Sequence, residues 1–117
     1  MRFGRKKNPL DGYGEVLDKD RKVLQALIDH GADLSTPRHV LHFLYVESEE
    51  AGRAAASSVP DWEASVKPPV EGYETWSLVF ERQGYVLSPE NVRNDADRFA
   101  SIANAASGTY DGWEASV

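Results

Sequence analysis

The stretch Val40-Leu41-His42-Phe43-Leu44-Tyr45-Val46 is apolar at nearly every position, odd and even alike. Apolar side chains on both alternating faces are typical of a central strand that is buried on both sides of its sheet. We therefore predict a strand over residues 39–46 in the middle of a sheet. The next polar residues mark a helix start, because the Ser48 hydroxyl can cap the free backbone N–H groups of a following alanine-rich helix.

The segments on either side alternate between helical and extended patterns. Apolar residues at helical spacing predict a helix over 18–30, with Asp18 as its cap. A serine–proline pair at 88–89 is a typical helix start. The remaining predicted elements are a strand over 61–66, a strand over 73–82 that ends at a Gln83-Gly84 turn, a long helix from Ser88 to Gly108, and a final strand over 110–117.

A five-residue repeat supports one arrangement of these elements. Trp62-Glu63-Ala64-Ser65-Val66 recurs as Trp113-Glu114-Ala115-Ser116-Val117, and each copy closes a strand–helix–strand unit. Two such units with right-handed crossovers give an α+β ferredoxin-like plait (βαββαβ), here with an additional N-terminal helix. In that plait the first and third strands are central, so the two repeat copies would form the edges.

Composition limits the function classes. The chain has 117 residues, no cysteine and a net charge of −6, so disulfides, cysteine-ligated metals and thiol catalysis are excluded. Arg2, Arg5, Lys6 and Lys7 lie in the first ten residues, which leaves nine basic and 19 acidic residues in 11–117. An acidic body disfavours direct nucleic-acid binding and favours a basic partner.

The charge distribution also suggests an organisation into two parts. We predict a flexible basic lead-in over residues 1–14 and a single domain over residues 15–117. No apolar run is long enough to span a membrane, and no apolar stretch follows the N-terminal charges as in a secretory signal. We expect a cytoplasmic protein without membrane contact.

No residue pattern predicts catalysis, a cofactor or a metal site. His39 and His42 are three positions apart in a strand and therefore face opposite sides, so they cannot chelate one ion together. No acidic residue is paired with a recognisable nucleophile or base. The sheet aromatics lack the basic surroundings of an RNA-binding face and are predicted to be core: Phe43, Tyr45, Trp76 and Phe80.

Two groups of residues are candidates for partner binding. The first is the acidic start of the second helix, Glu47, Glu49 and Glu50, which serves either to compensate the helix dipole or to dock a basic partner. The second is the closing segment Tyr110, Asp111, Gly112 and Trp113, which is either a structural strand entry or a recognition surface.

A chain that closes on Tyr110-Asp111-Gly112-Trp113 after a long helix resembles the RraB family, regulator of ribonuclease activity B. Three further segments support the resemblance by their order and spacing: residues 27–33, 39–44 and 86–90. The resemblance implies a ferredoxin-like fold and a non-enzymatic protein that binds ribonuclease E and slows RNA decay. The best-known members carry an acidic tail beyond the last strand, whereas this sequence shows none after Val117. We therefore expect a weaker or different contact.

An alternative function is self-association. An edge strand or an open sheet face is a natural pairing surface. If Val79, Val40 or Leu44 faces away from the helices, the sheet would carry an apolar patch that needs a cover, and a homo-oligomer would supply it.

Overall fold

The computed structural model describes residues 8–117, so the predicted basic cluster at residues 2–7 lies outside the described residues. Seven elements follow in chain order: α1 (Asp18–Asp29), β1 (Arg38–Val46), α2 (Glu49–Ser57), β2 (Glu63–Lys67), β3 (Trp76–Tyr85), α3 (Pro89–Ala105) and β4 (Thr109–Ala115). Three helices and four strands in this order make the chain an α+β protein, as predicted.

The four strands form one antiparallel sheet with the order β2-β3-β1-β4. Strands β1 and β3 are central, and the two strands that carry the repeated pentapeptide lie at opposite edges, as the sequence predicts. A helix precedes the first strand, so the complete order is αβαββαβ rather than a bare βαββαβ.

One face of the sheet is covered by the helices and holds the core. Alternate side chains of β1, namely Val40, Leu44 and Val46, are almost completely buried there, together with Phe80 of β3 and Phe99 of α3. The opposite face carries Leu41, Phe43 and Tyr45, which remain partly exposed or exposed. The prediction that β1 is buried on both sides is therefore wrong, because all three helices pack on the same face.

Local signals explain where the helices begin. The hydroxyl groups of Ser48 and Ser88 accept hydrogen bonds from the backbone N–H groups of Ala51 and Asn91, so both predicted serine caps are confirmed. In α1 the cap position is Leu17, which provides no side-chain cap. The predicted cap, Asp18, is instead the first helical residue, where its charge still suits the helix dipole.

Strand β3 continues three residues beyond its predicted end at Arg82. Gln83 and Gly84 extend the strand to Tyr85 instead of turning the chain. Gly84 has φ = +65°, and the pairing between β1 and β3 is irregular between Arg38 and Val40. A left-handed glycine beside a register shift is typical of a β-bulge, which absorbs the turn signal without ending the strand.

The residues before α1 pack on the fold. Leu10 and Tyr13 are buried in the core, and the Tyr13 hydroxyl donates a hydrogen bond to the Leu87 carbonyl just ahead of α3. The Arg21 side chain donates to the Tyr13 carbonyl at 2.8 Å. The core therefore receives side chains from upstream of residue 15, while the mobility of the predicted lead-in stays a prediction.

Candidate functional site

The closing segment of the chain is a β-bulge that sends its side chains to both faces of the sheet. Leu44 of β1 pairs with Tyr110 and Phe43 pairs with Gly112, so Asp111 is an extra residue between two pairs. Gly112 has φ = +104°, a conformation that costs glycine little and other residues much. A bulge of this kind redirects a side chain, and this one directs the Asp111 side chain to solvent.

Tyr110 faces the helices. Its hydroxyl and Nδ1 of His42 share a hydrogen bond, with 2.7 Å between the two atoms, and the two rings stack. The ammonium group of Lys19 lies 5.1 Å from the centre of the Tyr110 ring, within cation–π range. Burial raises the pKa of the Tyr110 phenol, and the nearby carboxylates of Asp20 and Asp95 raise it further, so the phenol stays protonated.

His42 lies at the centre of a buried polar cluster. Its imidazole is stacked on Phe99, and burial lowers its pKa from 6.5 to about 3, so the ring is neutral at pH 7. Of its two ring nitrogens, Nε2 is the one that does not contact Tyr110. That nitrogen lies 4.0 Å from Oδ2 of Asp95 and makes no hydrogen bond within residues 8–117.

Asp95 is the acidic end of the same cluster. Its Oδ2 accepts a 2.7 Å hydrogen bond from the Tyr85 hydroxyl. Burial raises the pKa of this carboxyl to about 6, although the Tyr85 hydrogen bond and the charges of Arg98 and Arg82 act to lower it. The titratable groups of the cluster are thus enclosed between helix α3 and the sheet, where they bond to one another.

Trp113 also faces inward. Its indole N–H donates to Oδ1 of Asp20 at 2.9 Å, and Asp20 is only 2% exposed. This bond fastens α1 to the edge strand β4. Tyr110 and Trp113 therefore use their polar atoms inside the fold, whereas Asp111 between them is exposed.

The acidic residues at the start of α2 lie on the surface. Glu49 pairs with Arg53 one turn later, with 2.6 Å between oxygen and nitrogen, while Glu47 and Glu50 are exposed. Glu47 borders a groove of about 420 Å³ between α2 and α3, which is lined mainly by alanine and serine. Within residues 8–117, no hydrogen bond or ion pair joins this group to the Tyr110–Trp113 segment.

The sequence left open whether the sheet has an uncovered face, and the structure shows one. Val79 of β3 lies on this face beside Phe43, its cross-strand partner, whereas Val40 and Leu44 face the helices. Phe43 and Tyr45 were predicted to be core, and this is wrong because they lie on the uncovered face. Trp76 is half-buried, and only Phe80 of the four is fully buried.

Charge on the open face is mainly negative. Glu63, Glu81 and Glu114 stand in one row, because Glu63 pairs with Glu81 across β2 and β3, while Leu41 lies between Glu81 and Glu114. His39 Nε2 lies 2.8 Å from Glu81 Oε2. Like charges directly opposite one another destabilise a sheet, so the pairing of Glu63 with Glu81 does not stabilise the fold.

The fold and these surfaces define a class: a small acidic α+β protein whose buried titratable groups bond to one another and whose exposed features are acidic and apolar surfaces. A family model described as RraB, regulator of ribonuclease activity B, matches residues 17–115, and the chain belongs to this family. A search of curated proteins gave no match to the chain. Within residues 8–117, no helix has the length and apolar composition required to cross a membrane.

Proposed function

We propose that this protein is a non-enzymatic regulator that binds ribonuclease E in the cytoplasm and reduces its cleavage of RNA. The family match over residues 17–115 carries the proposal. The fold supports it in two ways. The titratable groups with the largest pKa shifts are buried among core side chains, and the surface of the folded part is acidic.

Electrostatics favours a protein partner over RNA itself. Residues 11–117 carry nine basic and 19 acidic side chains, so the folded part repels phosphate backbones and attracts a basic protein surface. Glu47 and Glu50 are exposed and available for such a contact. The partner-binding role of Glu47, Glu49, Glu50 and the Tyr110–Trp113 segment stays a prediction.

We also infer a relationship to a common architecture. The six elements from β1 to β4 have the order of a ferredoxin-like plait, and the sheet order β2-β3-β1-β4 supports this interpretation. Helix α1 is an addition that packs beside β4.

Direct binding is the experiment that tests the proposal. Purified protein is titrated into ribonuclease E from the same organism in a calorimeter, and an unrelated endoribonuclease serves as the control. We expect saturable binding to ribonuclease E only. Heat signals that match the control at high micromolar concentrations would refute the proposal.

Self-association is a second candidate, and the uncovered apolar side chains of Leu41, Phe43 and Val79 favour it. Light scattering at tens of micromolar distinguishes the two functions. A dimer there would support self-association, whereas a monomer would exclude it.

A further inference from the structure

A cleft at one end of the open sheet face contains the exposed aromatic rings of the described residues. Tyr45 of β1 is 37% exposed, and Tyr73, in the loop before β3, is 70% exposed. The cleft has a volume of about 600 Å³. Its lining residues are Tyr45, Val70, Tyr73, Thr75, Ser77 and Asp111.

Asp111 reaches this cleft because of the bulge in β4. Without the extra residue, the strand would present alternate side chains to the two faces, but the bulge places Asp111 between Tyr110 and Gly112, outside the pairing. Its carboxylate makes no hydrogen bond or ion pair within residues 8–117. An unpaired carboxylate therefore lies beside two tyrosine rings at one site.

We propose that this cleft binds an arginine side chain from an extended segment of a protein partner. The guanidinium group would pair with Asp111 and stack on the rings of Tyr45 and Tyr73, the two interactions that arginine makes best. This inference rests on the proposed function and names the surface through which the regulator contacts its partner.

The rest of the open face suits the neighbours of that arginine. The apolar patch of Leu41, Phe43 and Val79 adjoins the cleft, since Phe43 and Tyr45 are alternate residues of β1. Beyond the patch lies the row of Glu63, Glu81 and Glu114. An extended segment that alternates basic and small residues would meet a carboxylate at both ends of the face and apolar surface between them.

Charge complementarity is the reason for choosing a basic segment over the other occupants. The loop that carries Tyr73 adds two exposed acids, Glu71 and Glu74. Lys67 is the one lysine or arginine among the strand residues of this face, and it lies on the edge strand β2. A second copy of the chain would bring a second acidic face against the first, and an RNA would bring phosphates, so both are disfavoured.

The first test uses a short synthetic peptide of alternating arginine and serine, and a matched peptide with citrulline in place of arginine. Citrulline keeps the shape of arginine and removes its charge. Nuclear magnetic resonance spectra of the whole protein are recorded during each titration. We expect saturable shifts at Tyr45, Tyr73 and Asp111 with the arginine peptide and none with citrulline.

The second test compares matched variants. Asp111→Asn and Tyr73→Ala should each weaken binding of the arginine peptide by about fivefold or more. Asp97→Asn removes one exposed carboxylate from α3, on the helix side of the molecule, and should leave the affinity within about twofold. Because Tyr73 and Asp111 are exposed, neither change should prevent folding, and a thermal melt of each variant checks this.

Three outcomes would overturn the inference. The first is an equal loss of peptide affinity in Asp97→Asn and Asp111→Asn. The second is a set of peptide-induced resonance shifts confined to the α2–α3 groove. The third is a resonance shift at Tyr45 that grows with protein concentration when no peptide is present. The last outcome would assign the face to a second copy. If ribonuclease E binds wild type and Asp111→Asn equally, the surface is wrong and the proposed function stands; if ribonuclease E does not bind at all, the proposed function fails.

Discussion

The indole N–H of Trp113 donates a hydrogen bond to Oδ1 of Asp20 across 2.9 Å, and this bond joins the last strand to the first helix. The other carboxylate oxygen of Asp20 is buried without a partner in the part of the chain that the structure describes. Trp113 is therefore the hydrogen-bond donor on which a buried acidic group depends.

Replacing Trp113 with phenylalanine should destabilise the fold. The change keeps an aromatic ring but leaves both oxygens of a buried carboxylate without a donor, which costs about 1–3 kcal/mol. Trp76→Phe is the matched control, because Trp76 is also half-buried in a strand and its indole makes no hydrogen bond within residues 8–117. Urea unfolding measures the free energy of unfolding of both variants. Equal losses of that free energy would show that the hydrogen bond from Trp113 to Asp20 does not stabilise the fold.

Replacing Asp95 with asparagine should change how stability depends on pH. Burial raises the pKa of Asp95 to about 6, so the folded state favours the neutral acid, and the stability that this group contributes is lost as the pH rises through 6. Asparagine is neutral throughout and still accepts from Tyr85. The free energy of unfolding of Asp95→Asn relative to wild type should therefore increase by about 1–3 kcal/mol between pH 4 and pH 7. A constant difference would contradict the buried-acid interpretation.

Acidification lowers the contribution of His42 to the stability of the fold, whereas it raises that of Asp95. Burial lowers its pKa to about 3, so its contribution is present above pH 6.5 and is lost as the pH falls towards 3. In wild type, the stability gained at Asp95 as the pH falls from 6 to 4 offsets part of the stability lost at His42. Thermal melts should show that Asp95→Asn loses stability more steeply than wild type across that interval, and parallel curves would contradict this.

Replacing Gly112 with alanine should destabilise the bulge through the backbone alone. Gly112 has φ = +104°, and an added Cβ would meet no atom within 4 Å. The expected cost is about 1–2 kcal/mol, from the left-handed conformation. Gly14→Ala is the control, because a Cβ there is equally free and its φ is outside the left-handed range. Equal decreases in the urea midpoint of the two variants would contradict a conformational role for Gly112.

Much of the architecture could be predicted from local signals. The caps at Ser48 and Ser88, the edge positions of the two repeat copies and the central position of β1 all follow from side-chain chemistry and alternation. The uncovered face could not be predicted, because the apolar alternation of Leu41, Phe43 and Tyr45 looks the same whether or not a helix covers it. The face that the three helices cover depends on how the whole chain packs, and local alternation does not show it.

The candidate sites show the same division. Sequence reasoning selected Tyr110, Asp111, Gly112 and Trp113 as a unit, but a bulge separates their side chains between the two faces. The partners of Tyr110 and Trp113 lie 68 and 93 positions away, so no local pattern reveals them. Tyr73 was also misassigned, because the predicted strand over 73–82 includes it, whereas β3 begins at Trp76 and Tyr73 lies exposed in the preceding loop.

The most direct test of the central claim is the rate at which ribonuclease E from the same organism cleaves a short RNA as this protein is added. The account predicts a dose-dependent decrease in the cleavage rate that weakens as the salt concentration rises, because screening reduces attraction between an acidic regulator and a basic partner. A cleavage rate that stays unchanged at saturating protein, at low and high salt alike, would contradict the account.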